Sequence, residues 1–470
     1  MNPLFDHGLS SGHALLLFVC IAVALGFEFV NGFHDTANAV ATVIYTHALR
    51  PTYAVVLSGL CNFAGVLLGG ISVAMGIIKL LPLDLVVSGG PGIGLATVLA
   101  LLVSAILWNL GTWYVGIPAS SSHTLIGAIL GVGIANSMRP GHAFGHGINF
   151  GKVGETMLSL LVSPLFGFAV AGGLLWIVKR LFSKTHAMDE PPPAGTPPPH
   201  GIRALLIATC SGVSFAHGTN DGQKGVGLVM LILIAMVPAG FALDLGTSPE
   251  HLRGTLQAAT AIEQVVAAHA PAGDADAAIV QREIDDVRHR LDGRAQVGDV
   301  PREDRFAVRF AILTADKAVD ALVKHHRLAL SHAEAHRLDH DRKAFRRLTE
   351  YAPRWVIIAI AIALGIGTMV GWKRIVVTVG EKIGKSHLTY GQGACAEIVA
   401  ASTIGVASFT GLPVSTTHVL SSGVAGTMVA KGTGLQRDTV RNIAFAWVLT
   451  LPVTALGGGL LFTVFRLILA

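Results

Sequence analysis

A long stretch without charge leaves few folds open to this chain. No Asp, Glu, Lys or Arg occurs in the 54 residues from 85 to 138, and residues 442–465 are similarly bare. A helix needs about 20 apolar residues to cross a bilayer. Only 13 % of the chain is charged and 52 % is hydrophobic, whereas about 25 % of an average soluble protein is charged. The sequence predicts an all-α polytopic membrane protein in a lipid bilayer and excludes an ordinary soluble enzyme.

The remaining charges are concentrated in one segment. Residues 248–352 hold 16 of the 34 Lys and Arg and 17 of the 29 Asp and Glu. Apolar residues at helical spacing, such as Ile312, Ala315 and Val319, predict a small helical soluble insert. The net charge of +5 lies outside this insert, in short loops between apolar segments. This placement is typical of the positive-inside bias of membrane proteins and indicates no nucleic-acid partner.

The two halves of the chain resemble each other. A shift of 295 residues places GIPASSSHTLIGAILGVGIA, which begins at Gly116, on GLPVSTTHVLSSGVAGTMVA, which begins at Gly411, with 7 identities in 20. A shift of 186 residues places GFEFVNGFHDTANAV, from Gly26, on GVSFAHGTNDGQKGV, from Gly212. Internal repeats with interrupted hydrophobic segments at matching positions are typical of secondary transporters, whose substrate site lies at the repeat interface.

These features divide the chain into repeats, a linker and an insert. We predict an N-terminal transmembrane repeat over residues 1–182, with about five spans, and a Pro-rich linker over 183–201. A second repeat of similar size begins over 202–247, is interrupted by the insert at 248–352, and resumes over 353–470.

The first repeated motif places ionisable groups inside an apolar segment, where they are costly and mark a pathway or site. The polar residues of its two copies include Glu28, Asn31, His34, Asp35 and Asn38 in the first and His217, Asn220, Asp221 and Lys224 in the second. The alternative is a neutralised contact between helices, which the repetition disfavours. Glycines in both copies would allow the backbone to open here and leave amide groups free at half-helix ends, where anions bind. They are Gly32, Gly218, Gly222 and Gly225.

The second repeated motif offers hydroxyl groups at the start of a helix. Pro118 and Pro413 end one helix, and the hydroxyl and amide groups that follow belong to Ser120, Ser121, Ser122, Ser415, Thr416 and Thr417. Converging on a desolvated tetrahedral oxyanion, they would form a substrate cage. The alternative is that they only satisfy backbone groups of a kinked helix. His123 and His418 are either proton carriers or partners of a carbonyl, and the sequence leaves both open.

The aspartates imply a co-transported cation, because Asp35 and Asp221 would repel an anionic substrate. Sodium or a proton on the aspartates would serve, as would a divalent metal that enters with the anion and lies near them. Neither a permanent metal nor a cofactor is predicted. Lys224 either offsets part of the charge or acts as a gate, since its copy is the neutral Asn38. For the carboxylate of Glu397, an ion role and a structural hydrogen bond are both open.

The motifs resemble those of the inorganic phosphate transporter family, PiT, and closely those of its low-affinity, proton-coupled bacterial branch. They are GFHDTANAVATVIYT, GIPASSSHTLIGA, FAHGTNDGQKGVGLVML and GLPVSTTHVLSSGVAGTM, and the similarity covers nearly all of the chain except much of the insert. The resemblance implies two inverted repeats with broken helices and re-entrant segments, a location in the bacterial inner membrane, and no enzyme activity. The substrate-binding residues it implies are Asp35, Asn38, Ser120, Ser121, Ser122, Asn220, Asp221, Ser415, Thr416 and Thr417.

The resemblance also implies symport of phosphate, as a neutral complex with a divalent cation such as Mg²⁺, together with a proton. The residues then expected to carry the co-ion or proton are Glu28, His34, Asp35, His123, Asp221, Lys224, Glu397 and His418. Sodium-coupled members usually have Asn where this chain has His34, which favours protons over sodium. The sequence leaves the oligomeric state open, a homodimer included.

Other functions remain as alternatives. A hydroxyl cage does not separate phosphate from sulfate, so a sulfate permease is one alternative, and a sodium-coupled phosphate symporter is another. An intramembrane serine hydrolase using Ser121 or Ser122 with His123 is remote. Such an enzyme needs one nucleophile and one aligned base, whereas here the motif recurs in both halves. A further alternative is a sensor whose insert binds a regulator.

Overall fold

The computed structural model describes residues 11–80, 91–139, 144–145, 148, 150–181, 188 and 195–469, and within them the chain is built of helices. In chain order these are α1 (Ser11–Tyr45), α2 (Pro51–Leu68), α3 (Ser72–Ile78), α4 (Pro91–Tyr114), α5 (Ser121–Ser137), α6 (Phe150–Leu181), α7 (His200–Met236), α8 (Pro238–Phe241), α9 (Pro249–His269), α10 (Ala275–Leu291), α11 (Asp304–Lys324), α12 (His332–Arg346), α13 (Arg354–Met369), α14 (Lys373–Val377), α15 (Tyr390–Thr410), α16 (Thr416–Lys431) and α17 (Arg437–Leu469). The predicted all-α fold class is confirmed. Most of the predicted linker, residues 183–201, lies outside the described residues.

Six of the described helices are long and apolar enough to cross a membrane: α1, α2, α4, α6, α15 and α17. A seventh span results if α13 and the segment Lys373–Lys382, which are bent by 57° relative to each other, count as one. Helices α5 and α16 have 17 and 16 residues, fewer than the roughly 20 that a full crossing needs. Their short length is what a re-entrant segment requires, although the inverted arrangement of the repeats stays a prediction.

Helices of the two halves pack on each other in a reciprocal way. Helix α5 packs against α17, and its sequence copy α16 packs against α6. Each contact depends on a glycine: a β-carbon on Gly131 would overlap the carbonyl oxygen of Ala455, and one on Gly426 would overlap that of Phe168. Gly131 and Gly426 are related by the shift of 295 residues. The same close helix contact is therefore made in both halves.

By their internal contacts the described residues divide into two compact units. One consists of Phe18–Ile232 and Pro353–Ala470, and it contains both repeated motifs. The other contains Leu233–Ala352 and the described residues of Met1–Leu17. Within it, α10 and α11 pack together, and a buried Arg309 donates hydrogen bonds to the carbonyl oxygens of Ala242 and Thr349, at 3.1 and 2.8 Å. Burial lowers the pKa of the Arg309 guanidinium to about 10. The predicted insert is thus helical, with its own apolar core.

Candidate functional site

Four helices bring the two repeated motifs together. Helices α1 and α7 carry the two copies of the acidic motif, and α5 and α16 begin with the two copies of the hydroxyl motif. Each motif residue named below is buried. Since ionisable and hydroxyl side chains are concentrated here inside an apolar protein, this is the candidate site.

The predicted opening of the backbone in the acidic motifs is wrong. Helices α1 and α7 run through Gly32 and Gly218 without a break. These glycines instead allow close helix contacts: a β-carbon on Gly32 would lie 2.5 Å from the carbonyl oxygen of Leu364, and one on Gly218 would overlap that of Asn62. The backbone amides around them are used in the helices, so only side chains of α1 and α7 are available to a ligand.

The hydroxyl motifs do lie at helix starts, as Pro118 and Pro413 predict. Ser120 is the N-cap of α5, where its Oγ accepts a hydrogen bond from the His123 amide at 3.2 Å. Ser415 caps α16 in the same way, accepting from the His418 amide at 3.1 Å. These two serines therefore hold the helix starts in place, and the following hydroxyl groups point to the acidic motifs.

Asp35 receives donors from both halves. The Thr417 hydroxyl donates to its Oδ1 at 2.8 Å, and those of Ser121 and Thr416 lie 3.3 and 3.5 Å from its Oδ2. Nδ1 of His34 lies 3.0 Å from Oδ1. Asn38 supports this arrangement because its amide donates to the Thr417 oxygen at 2.9 Å, which leaves the threonine hydrogen for Asp35.

Asp221 is held by a buried ion pair. Its Oδ1 lies 2.7 Å from Nζ of Lys224, and its Oδ2 accepts a hydrogen bond from the Ser121 hydroxyl at 3.1 Å. Lys224 is fully buried and also donates to Ser122 Oγ at 2.6 Å. These contacts are the ones that charge compensation by Lys224 would require, and a role as a gate stays a prediction.

His217 is a member of the site to which the sequence assigned no role. Its Nε2 lies 3.6 Å from Oδ2 of Asp35 and 3.5 Å from Oδ2 of Asp221. Its Nδ1 lies 2.8 Å from Oδ1 of Asn62 on α2. The spacing of four residues between His217 and Asp221 puts both on one helix face, and this was the signal that could have identified it.

Three of the predicted residues, Asn220, His123 and His418, make no hydrogen bond to Asp35 or Asp221 within the described part of the chain. Asn220 donates to Ser408 Oγ and to the Leu412 carbonyl, at 3.2 and 3.3 Å. These contacts hold the segment that precedes α16. The rings of His123 and His418 lie against each other, with centroids 4.4 Å apart.

Two further carboxylates are buried beside the site helices. Glu28 accepts a hydrogen bond from Asn31 at 3.3 Å and lies against Gly225. Glu397 accepts one from the Thr209 hydroxyl at 2.5 Å. In each, the second oxygen has no partner in the described part of the chain.

A multi-pass helical membrane protein with an enclosed, charged site is the class that these features define. Residues 31–458 match the profile of the phosphate transporter family. The chain is 45 % identical to the low-affinity inorganic phosphate transporter PitA of Escherichia coli K12, covering 96 % of this chain and 97 % of that one. It is 43 % identical to PitB of the same organism, over 98 % and 99 %. The chain therefore belongs to the phosphate transporter family.

A solved structure shares the fold. It is described as the sodium-dependent phosphate transporter, and it aligns with a TM-score of 0.55 at 20 % identity over 97 % of this chain and 100 % of that one. Family membership confirms that the chain is a transporter of the bacterial inner membrane and not an enzyme. The serine hydrolase alternative is thereby excluded.

Proposed function

We propose that this protein imports inorganic phosphate across the bacterial inner membrane by proton symport, as a neutral complex with a divalent cation. Family membership supports phosphate as the substrate. Of the residues predicted from the motifs, Asp35, Asp221, Ser121, Thr416 and Thr417 would contact the substrate. The others would hold them in place: Asn38, Ser120, Ser122, Asn220 and Ser415.

The net charge of the buried site is the observation that supports a co-transported proton. With neutral histidines, the two aspartates and Lys224 sum to −1, and all three are buried. An uncompensated buried charge is costly, so the site without substrate needs one more positive charge. A proton supplies it.

Hydrogen bonding at His34 supports a place for that proton. The Thr112 hydroxyl has main-chain carbonyl acceptors at 3.0 and 3.2 Å, so its oxygen accepts from Nε2 of His34, which lies 3.2 Å away. The imidazole hydrogen is then on Nε2. A hydrogen bond between Nδ1 of His34 and Oδ1 of Asp35 consequently requires an additional proton between them.

The two carboxylates favour phosphate over sulfate. Hydrogen phosphate can donate a hydrogen bond to Asp35 or Asp221, whereas fully ionised sulfate cannot. The aspartates also account for the proposed co-transport of a divalent cation. Such a cation, lying between the carboxylates and the phosphate, removes the repulsion between like charges.

The test is uptake of radiolabelled phosphate into proteoliposomes with an inward proton gradient, with and without Mg²⁺, in the absence of sodium. We expect uptake that requires the gradient, increases with Mg²⁺ and is unaffected by excess sulfate. Uptake that needs sodium instead would establish the sodium-coupled alternative, and competition by sulfate would contradict the assignment of substrate. Liposomes without protein serve as the inactive control.

A further inference from the structure

We infer that Asp35, His217 and Asp221 are the ligands of a binding site for a divalent transition-metal ion that is transported with the phosphate. We call this three-residue binding site the seat. The inference rests on the proposed symport of a metal-phosphate complex, and it adds the class of metal. All three residues are buried, and one ligand atom from each lies within 4.8 Å of the other two.

The distances from the His217 nitrogen to the two carboxylate oxygens suit a single metal ion. Two ligand atoms at about 2.1 Å from a metal, separated by a tetrahedral or octahedral angle, are about 3.0–3.4 Å from each other. Nε2 of His217 lies 3.6 and 3.5 Å from the Oδ2 atoms of Asp35 and Asp221. Movements of about 0.2–0.5 Å would bring Nε2 to this distance from each Oδ2. The carboxylate ligand atoms lie within 4.8 Å of each other, and they would close on the ion when it binds.

A chain of hydrogen bonds directs the lone pair of His217 into this seat. The Thr368 hydroxyl donates to the Leu364 carbonyl at 2.8 Å, so its oxygen accepts from Nδ2 of Asn62 at 3.0 Å. Oδ1 of Asn62 consequently faces Nδ1 of His217, at 2.8 Å, and accepts its hydrogen. Nε2 has no hydrogen-bond partner among the described residues. Metal-binding histidines are commonly held in this way, by a bond from the nitrogen that does not bind the metal.

The carboxylates are arranged to match. Oδ1 of Asp35 already receives Thr417, and Oδ1 of Asp221 is paired with Lys224. In both aspartates the other oxygen, Oδ2, faces His217 and also contacts the Ser121 hydroxyl, at 3.3 Å for Asp35 and 3.1 Å for Asp221. An ion bound to both Oδ2 atoms would replace these contacts, and the Ser121 hydroxyl would then be available to the phosphate that completes the coordination of the ion.

The nitrogen ligand determines which metal is preferred. Mg²⁺ binds oxygen ligands and keeps several of its waters. Imidazole instead suits transition-metal ions such as Zn²⁺, Fe²⁺ and Ni²⁺. The seat should therefore take Zn²⁺ with phosphate in preference to Mg²⁺, and the replacement His217→Asn, which puts an amide in place of the imidazole, should reduce this preference.

The experiment uses full-length protein in detergent with inorganic phosphate and with Mn²⁺ as the paramagnetic probe of the seat. Electron spin echo envelope modulation detects an imidazole coordinated to the Mn²⁺. We expect nitrogen modulation in the wild type and in a His123→Ala control, and none in His217→Asn. Asn62→Ala keeps the ligand but removes its support, so it should weaken Mn²⁺ binding by about 10–100-fold while retaining the nitrogen signal. If His217→Asn does not fold, Asn62→Ala is the variant that tests the inference. Unchanged Mn²⁺ binding in Asn62→Ala would overturn it.

Uptake into proteoliposomes separates this inference from the proposed function. Wild-type phosphate uptake that does not depend on any divalent metal would refute the metal-phosphate proposal and the seat with it. Metal-dependent uptake in which His217→Asn retains both the nitrogen signal and the wild-type preference for Zn²⁺ over Mg²⁺ would refute only the role of His217. We expect His217→Asn to lose both the nitrogen signal and the metal preference, while Mg²⁺ still supports its phosphate uptake.

Discussion

Removing Lys224 should destabilise the protein far more than removing an exposed lysine. Nζ of Lys224 lies 2.7 Å from Oδ1 of Asp221, and both side chains are fully buried. At an effective dielectric constant of about 20, unit charges at this distance attract by about 6 kcal/mol. Part of this attraction offsets the desolvation of the lysine, so the variant Lys224→Met, which leaves the aspartate charge alone, should lose about 3–5 kcal/mol.

The double variant Lys224→Met/Asp221→Asn tests the origin of this loss. Because it removes both charges, it should recover about 2–3 kcal/mol relative to the sum of the two single variants, within the range measured for directly coupled residues. The assay is thermal unfolding of the detergent-purified protein, with the exposed Lys385→Met as the matched control. A Lys224→Met variant as stable as the control, or losses that simply add in the double variant, would refute the charge argument. Phosphate uptake should be lost in the double variant even though its stability returns.

Three other substitutions test the site and the helix packing. Asp35→Asn should reduce phosphate uptake more than His123→Ala, because the proposed symport places the co-ion at Asp35, whereas His123 contacts no aspartate among the described residues; wild-type uptake in Asp35→Asn would contradict this. Thr416→Ala should raise the half-saturation concentration of phosphate without affecting membrane insertion, and an unchanged concentration dependence would make the hydroxyl merely structural. Gly131→Leu should abolish the monodisperse peak in fluorescence-detected size exclusion, because a side chain there overlaps the backbone of α17. Gly173→Leu, where a β-carbon meets open space, should keep that peak.

The sequence was sufficient to predict which segments come together at the candidate site, because two kinds of motif recur in both halves and each carries groups that are costly in a membrane. It was not sufficient at Gly32 and Gly218. A glycine inside an apolar segment permits either an open backbone or a close helix contact, and only the positions of α13 and α2 decide between them. The position of His217 at the candidate site was missed for a similar reason. Its orientation is fixed by Asn62, which lies 155 residues away along the chain.

The contacts of the site run crosswise between the halves, and this limits how a substrate can enter. Ser121 of the first half contacts Asp221 of the second, and Thr417 of the second contacts Asp35 of the first. Since these residues are buried, phosphate reaches them only after some of these hydrogen bonds have opened. A hydrogen bond to a charged group contributes about 1.5–3 kcal/mol. The hydroxyl groups proposed to bind phosphate are therefore also the groups that close the site, and we expect the apparent affinity to be lowered in proportion to the small population of the open state.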